Sequence, residues 1–195
     1  YAPALLNLGI VEFNINKNKS ALSFLIKATE CDPELFPAWE NLSYAYIKLG
    51  KRKEAETSLR KAITLKPNFP WGHAQLGLIL RKLGKLKEAE ISMRKAIQFK
   101  PDDELFYNNL AIILKDLHKF DEAIVTLKKA LAIKPDSSET HSNLGGIFKD
   151  NGELEKAETF ALRAIEINPN NVNAYLNLSI IQLLKGDYKS GLVNY

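Results

Sequence analysis

Between Phe36 and Gly50 the apolar side chains Trp39, Leu42, Tyr46 and Leu49 recur every three or four positions. That spacing collects them on one stripe of an α-helix, so the stretch predicts an amphipathic helix that Gly50 ends. The pattern resumes at Ala55, Leu59, Ala62 and Leu65 and stops before Pro67. Proline lacks the N–H that a helix interior needs and biases the residue before it toward extended backbone. Two helices separated by a short turn are therefore expected between Phe36 and Lys66.

The same unit returns along the chain. Prolines fall at Pro33, Pro67, Pro101, Pro135 and Pro169, each 34 residues from the last. With proline at about 5% of average composition, four further hits in register have a chance of roughly six in a million. Aligning the chain on this period exposes its columns. Leu8, Leu42, Leu76, Leu110, Leu144 and Leu178 form one, and Gly9, Ser43, Gly77, Ala111, Gly145 and Ser179 the next. Ala21, Ala55, Ala89, Ala123, Ala157 and Gly191 form a third, and Ala28, Ala62, Ala96, Ala130 and Ala164 a fourth. Small residues at fixed spacing let helices approach closely, while Leu25, Leu59, Met93 and Leu127 fill the space between them. Pro3, Pro37 and Pro70 stand where a first helical turn begins, the place where a missing N–H costs nothing.

This pattern, with Trp39, Leu42, Tyr46, Gly50, Ala55, Ala62 and Pro67 in the second unit, resembles the tetratricopeptide repeat family over essentially the whole chain. The resemblance implies an all-α fold, a right-handed superhelical solenoid of antiparallel helix pairs. It divides one array (1–195) into repeats 2–35, 36–69, 70–103, 104–137 and 138–171, with an incomplete sixth, 172–195. Departures are few: Ser43 and Ser179 at the small position, Asn16 and His118 at the turn glycine, Gly191 for alanine, and Ala161 for a large apolar residue. Ala161 is expected to loosen packing in the fifth repeat.

A sixth unit of the same length would run about ten residues past Tyr195, and the first residue is Tyr1 rather than Met, so the natural protein is expected to continue. Gly186, Tyr188, Gly191 and Tyr195 also resemble a segment of bacterial proteins in which such repeats lead into a glycosyltransferase domain. That likeness implies a substrate-recruiting arm whose catalytic domain lies beyond Tyr195.

Composition sets the outer limits. With 195 residues, 46% hydrophobic, the chain has the material to bury a core. One cysteine, Cys31, excludes an internal disulfide and fits the cytoplasm. No run of 18 apolar residues marks a membrane span, and no membrane partner is expected. A formal charge of +4 is too weak to imply nucleic acid unless concentrated. It is uneven: repeats two and three each hold seven Lys and Arg, against three and four acids, whereas repeat five has three against six. No aromatic-rich stripe accompanies the basic repeats, so nucleic acid is not the expected partner.

No chemistry suggests itself. His73, His118 and His141 lie in three repeats and share no metal-ligand spacing with Cys31. Gly145 and Gly146 lie inside a predicted helix and not in a phosphate-binding loop. No nucleophile, base and orienting group come together, so the piece is not expected to be an enzyme by itself, and no cofactor or metal is expected.

Binding is expected instead, on the concave surface that helical solenoids use. The column before the recurrent leucine is all amide: Asn7, Asn41, Gln75, Asn109, Asn143 and Asn177. Asparagine is a poor helix-interior residue, so its recurrence needs a reason. Each amide offers donors and an acceptor to an extended peptide backbone, or alternatively to the neighbouring helix. A similar amide ladder lines the peptide groove of O-linked N-acetylglucosamine transferases, and the resemblance implies that use here. Three residues on, Ile10, Tyr44, Leu78, Ile112, Gly146 and Ile180 share roughly the same face. They would supply apolar contact in the groove, or pack partly between helices; Gly146 would leave a notch. Lys48, Arg81, Lys82 and Lys115 stand near the groove lip, and an acidic partner would be oriented toward the basic half. The expected function is a protein-interaction scaffold holding an extended peptide or a helix. Self-association through the terminal repeats, each with one open side, is a further expectation.

Overall fold

In a computed structural model the described residues, 1 to 193, form twelve α-helices and no strand. They divide into two compact units, Tyr1–Pro101 and Asp102–Tyr195. The first holds α1 (Ala2–Asn14), α2 (Asn18–Cys31), α3 (Phe36–Lys48), α4 (Arg52–Leu65), α5 (Pro70–Lys82) and α6 (Leu86–Phe99). In the second are α7 (Glu104–Asp116), α8 (Phe120–Ile133), α9 (Ser138–Asp150), α10 (Leu154–Ile167), α11 (Val172–Leu184) and α12 (Tyr188–Val193). First helices start at 2, 36, 70, 104, 138 and 172, the period read from the prolines. Tyr195, the last residue of the sixth repeat, lies outside the described residues.

Local chemistry explains the boundaries. Every first helix ends in a left-handed residue: Gly50, Gly84, Gly152 and Gly186 have φ of 71° to 84°, and Asn16 and His118 have φ of 60° and 58°. In the second repeat Gly50 N–H donates to Ile47 O at 3.1 Å and Lys51 N–H to Tyr46 O at 2.9 Å. This paired closure uses up carbonyls that a helix end would otherwise leave without donors, and it recurs in all six repeats. The C-caps of the second helices are Asp32, Lys66, Lys100, Lys134 and Asn168, each immediately before a periodic proline.

Packing follows the columns. Ala21, Ala55, Ala89, Ala123 and Ala157 are completely buried, as are Ala28, Ala62, Ala96, Ala130 and Ala164. In the leucine column five members are at most 5% exposed, but Leu8, on α1, is 48% exposed, since among the described residues α1 packs only against helices that follow it. The expected looseness at Ala161 is not found. Ala161 is fully buried, and a Cβ added at Gly145 would stand only 3.2 Å from its backbone nitrogen, so α9 and α10 close onto each other. The preceding residue, Phe160, supplies the missing bulk by stacking on Phe148 with ring centroids 5.4 Å apart.

Candidate functional site

The amide column lies on first helices in both units, and the structure gives its members different occupations. In the first unit Asn7 is exposed and Gln75 half-buried. Asn41 Nδ2 donates to Pro37 O of its own helix at 2.8 Å. In the second unit Asn109 is half-buried. Asn143 Nδ2 donates to Asn108 Oδ1 of α7 at 3.0 Å, and Asn177 Nδ2 donates to Ser142 O of α9 at 3.0 Å. The last two tie one first helix to the next, the alternative that the sequence left open. Gly146 is not an empty notch, because the Asn177 amide lies over it, 3.4 Å from where a Cβ would be.

The apolar column is graded. Tyr44 is 47% exposed, Leu78 and Ile112 are half-buried, and Gly146 is buried. Of the basic residues, Lys48 Nζ stands 5.4 Å above the Phe13 ring, Arg81 is half-buried in the last turn of α5, and Lys82 beside it is exposed. Lys115 is engaged, with Nζ 2.8 Å from Asp150 Oδ2. Burial pushes the Asp150 carboxyl upward, but the Lys115 hydrogen bond and the charges of Lys115 and Lys149 outweigh it and hold it below its usual value.

Asn108, which the sequence did not single out, joins the second unit's first helices. It is 1% exposed, and its Nδ2 lies 2.8 Å from Thr140 Oγ1 and 3.2 Å from Glu104 O. Thr140 and Ser137 hydroxyls both donate to Glu104 Oε1. Ser137 also caps α9 by accepting from Thr140 N–H, as Asp103 caps α7 and Asn171 caps α11. The period conceals this network, since the column reads Leu6, Glu40, Ala74, Asn108, Ser142, Leu176 and no polar type recurs. What could have revealed it is the run of Asp103, Ser137 and Asn171, three cap-forming residues in register.

Beside the network is a cavity of about 390 Å³. Ile112, Ser142 and Asn143 form one side, Glu139 lies at the first turn of α9, and Asn168, Asn170, Asn171, Val172 and Asn173 close it from the loop into α11. It brings the sequence-selected Ile112 and Asn143 into one concavity. Asn171 Nδ2 already donates to Ser138 Oγ at 2.7 Å, while Asn168, Asn170 and Asn173 bring further amides, with donors as well as acceptors, to the lining beside one carboxylate, Glu139.

His73 and His141 are buried in the helix packing, whereas His118 is exposed at a left-handed turn. His73 is 4% exposed, stacks on Phe99, and holds Nε2 2.9 Å from Pro67 O, an arrangement that requires the proton on Nε2. Burial, with Lys95 nearby, lowers its pKa against the opposing effect of that hydrogen bond. Trp39 Nε1 makes the equivalent bond to Pro33 O at 2.8 Å. Among the described residues no three His, Cys, Asp or Glu are placed to hold a metal ion, and no helix is long and apolar enough to cross a membrane. Of the tail residues, Gly186 closes the turn after α11, Tyr188 opens α12, and Gly191 O accepts from Ser179 Oγ at 2.7 Å. Tyr195 is outside the described residues.

No curated protein sequence matches the chain. Solved structures do resemble it. YrrB, described as a TPR protein with an unusual peptide-binding site, aligns with a TM-score of 0.79 and 24% identity, over 89% of this chain and 90% of its own. PilW, a type IV pilus biogenesis factor, gives 0.84 and 19% over 99% and 90%. PilF of Pseudomonas aeruginosa gives 0.77 and 18% over 99% and 88%. These likenesses establish the fold as a tetratricopeptide solenoid. A family model described as the N-terminal TPR repeats region of Psidin matches residues 35–185, most of the sequence, and the chain belongs to that tetratricopeptide repeat family.

Proposed function

We propose that the chain is a protein-interaction scaffold whose first helices form the recognition face, taking an extended peptide or a helix. The observation that carries this reading is the cavity in the second unit, where Ile112 and Asn143, members of two periodic surface columns, line one space of about 390 Å³. Asn7, Gln75 and Asn109 of the amide column, beside the exposed or half-buried Tyr44, Leu78 and Ile112, are surface positions that the helix-packing columns do not use. YrrB is described as having a peptide-binding site, which agrees with this assignment. Asn109 and Ile112 suit the test better than Asn143, whose amide holds α9 to α7. Titrated against a library of extended peptides, the parent binds, and a variant with Asn109→Ala and Ile112→Ser loses binding while keeping its melting temperature. Equal binding by both proteins, or binding by neither, refutes the reading.

A further inference from the structure

A second concavity lies in the first unit, away from the amides. It measures about 360 Å³ and runs between α2 and α4 over α3. Trp39, Leu42 and Tyr46 line it along α3; at 100° per residue they lie on the side of that helix opposite Asn41 and Tyr44. Ile26, Thr29, Thr57 and Ser58 form its walls, and Glu30 and Glu54 its remaining lining. The hydroxyls are engaged within their own helices: Thr29 donates to Ile26 O, Thr57 to Lys53 O and Ser58 to Glu54 O, at 2.8 to 3.1 Å. The Glu30 and Glu54 carboxylates have no hydrogen bond or ion pair among the described residues. Beside the floor stands Lys51, with Nζ 6.0 Å from the centre of the Tyr46 ring. Two carboxylates against that ammonium leave the slot acidic.

The next repeat shows what this slot lacks. One period on, Ile26 becomes Arg60 and Glu54 becomes Glu88. Arg60 reaches across from α4 to α6, with Nη2 2.6 Å from Glu88 Oε2 and 2.9 Å from Glu56 Oε1. Glu56 in turn accepts from Lys85 at 2.8 Å, so that mouth is closed by the protein's own guanidinium and ammonium. Between α2 and α4 the carboxylate is retained and the arginine is not. In the second unit the corresponding aromatic, Phe148, has Lys156 Nζ 5.5 Å from its ring centre, a lysine in the column that holds Glu54 here.

We propose that the slot between α2 and α4 binds the side chain of an arginine from a partner protein. The guanidinium takes the place that Arg60 fills one repeat later, donating to Glu54 and Glu30, with its planar face on the Trp39 and Tyr46 rings and its stem on Ile26 and Leu42. A flat, multiply donating cation suits two acceptor-only carboxylates over an aromatic floor better than a compact ammonium. This site is independent of the groove on the first helices. Its occupancy does not require that reading to hold.

The protein has two tryptophans, so replacing Trp71 with Phe leaves Trp39 as the reporter. That protein is titrated with acetyl-Gly-Arg-Gly-amide and with the same peptide carrying citrulline, which keeps the shape and loses the charge. The expected result is a saturable change in Trp39 fluorescence with the arginine peptide, and binding at least about tenfold weaker with citrulline or in Glu54→Gln. Ile26→Arg supplies an internal guanidinium and abolishes the response. Should Ile26→Arg lower the melting temperature, Glu30→Gln replaces it, with weakening of similar size expected. No saturable change, equal affinity for the citrulline peptide, or indifference to both glutamate substitutions overturns the proposal. Peptides that report on Asn109 and Ile112 leave Trp39 unchanged, so failure of one site is distinguishable from failure of the other.

Discussion

The two units start their first helices in opposite ways. In Tyr1–Pro101 the caps of α3 and α5 are Leu35 and Phe69, with proline in the first turn that follows, and Phe69 packs edge-on against Phe36 with centroids 5.2 Å apart. In Asp102–Tyr195 the equivalent caps are Asp103, Ser137 and Asn171, each accepting a backbone N–H, and two of them share hydrogen bonds with Glu104, Thr140 or Ser138. Both solutions start a helix at the same position of a 34-residue period. The first fills the helix ends with hydrocarbon, and the second leaves polar atoms around a cavity. Helix-packing columns and end columns therefore vary independently, so one fold can carry unlike surfaces on successive repeats.

The sharpest way to break the contrast is Asn108→Leu. The half-buried Asn143 amide can turn to water, but Thr140 and Glu104 lose a buried donor, and the second unit should be destabilised by about 3 kcal/mol. Hydrogen exchange, read unit by unit, checks this: amides of α7 and α9 lose protection, while those of α3 keep theirs. If protection falls equally everywhere, the network is not local to the second unit. The matching change in the first unit is Gly72→Ala. Its Cβ would stand 2.1 Å from the Phe69 ring, which is nearly buried, so the ring must move at a cost of about 2 kcal/mol. Phe69→Ser in the same protein removes the clash, and the penalty of Gly72→Ala should shrink in a double-mutant cycle.

Acid separates the units more gently. His73 is held neutral with a lowered pKa, so the unfolded chain binds the proton more readily than the folded one. Its contribution is complete above the unfolded value of about 6.5 and is lost as pH falls from there toward the lower folded value. Denaturant titrations at pH 7.5 and 5.5 should show a fall in first-unit stability that His73→Gln abolishes. The smallest effect is a gain. Gly146→Ala meets Asn177 at ordinary van der Waals distance, so the better helix former should stabilise α9 by about 1 kcal/mol, seen as a higher denaturation midpoint.

Much of the fold was legible because its constraints recur. Each helix pair must bury the same small residues and reverse at the same left-handed position, so six copies expose the rule that one would hide. Asn16 and His118 show how far this reached: they depart from glycine, yet both adopt the positive φ that the column requires. The proposed binding face was less legible. Asn143 and Asn177 belong to the amide column but donate to neighbouring helices, because an amide's partner depends on what stands across from it and not on its own spacing. Lys115 had the right charge, but Asp150 takes it. Asn108 was missed altogether, since a buried polar network is assembled once and leaves no periodic trace.

The exchange at Phe160 and Ala161 bears on how such a chain can change. In repeats two to four the pair reads Ser58 and Leu59, Ser92 and Met93, Thr126 and Leu127, small then large. In the fifth the order is reversed, and the bulk has moved one residue along α10. The first repeat is large at both places, Phe24 and Leu25, and its helices stand farther apart: a Cβ at Gly9 would lie 3.4 Å from Ala21 O, against 3.1 Å from Ala157 O at Gly145. The third repeat holds Met93 opposite Gly77 with Ala89 O 3.2 Å from a Cβ there, so a large residue at 161 is compatible with a close approach, whereas shrinking Phe160 alone would leave Phe148 without its stacking partner. Reverting Phe160 alone removes the Phe148 contact while reverting both restores the common pattern, so the two positions should be coupled in a double-mutant cycle. A path back to the common pattern is therefore costlier through loss of Phe160 first than through enlargement of Ala161 first.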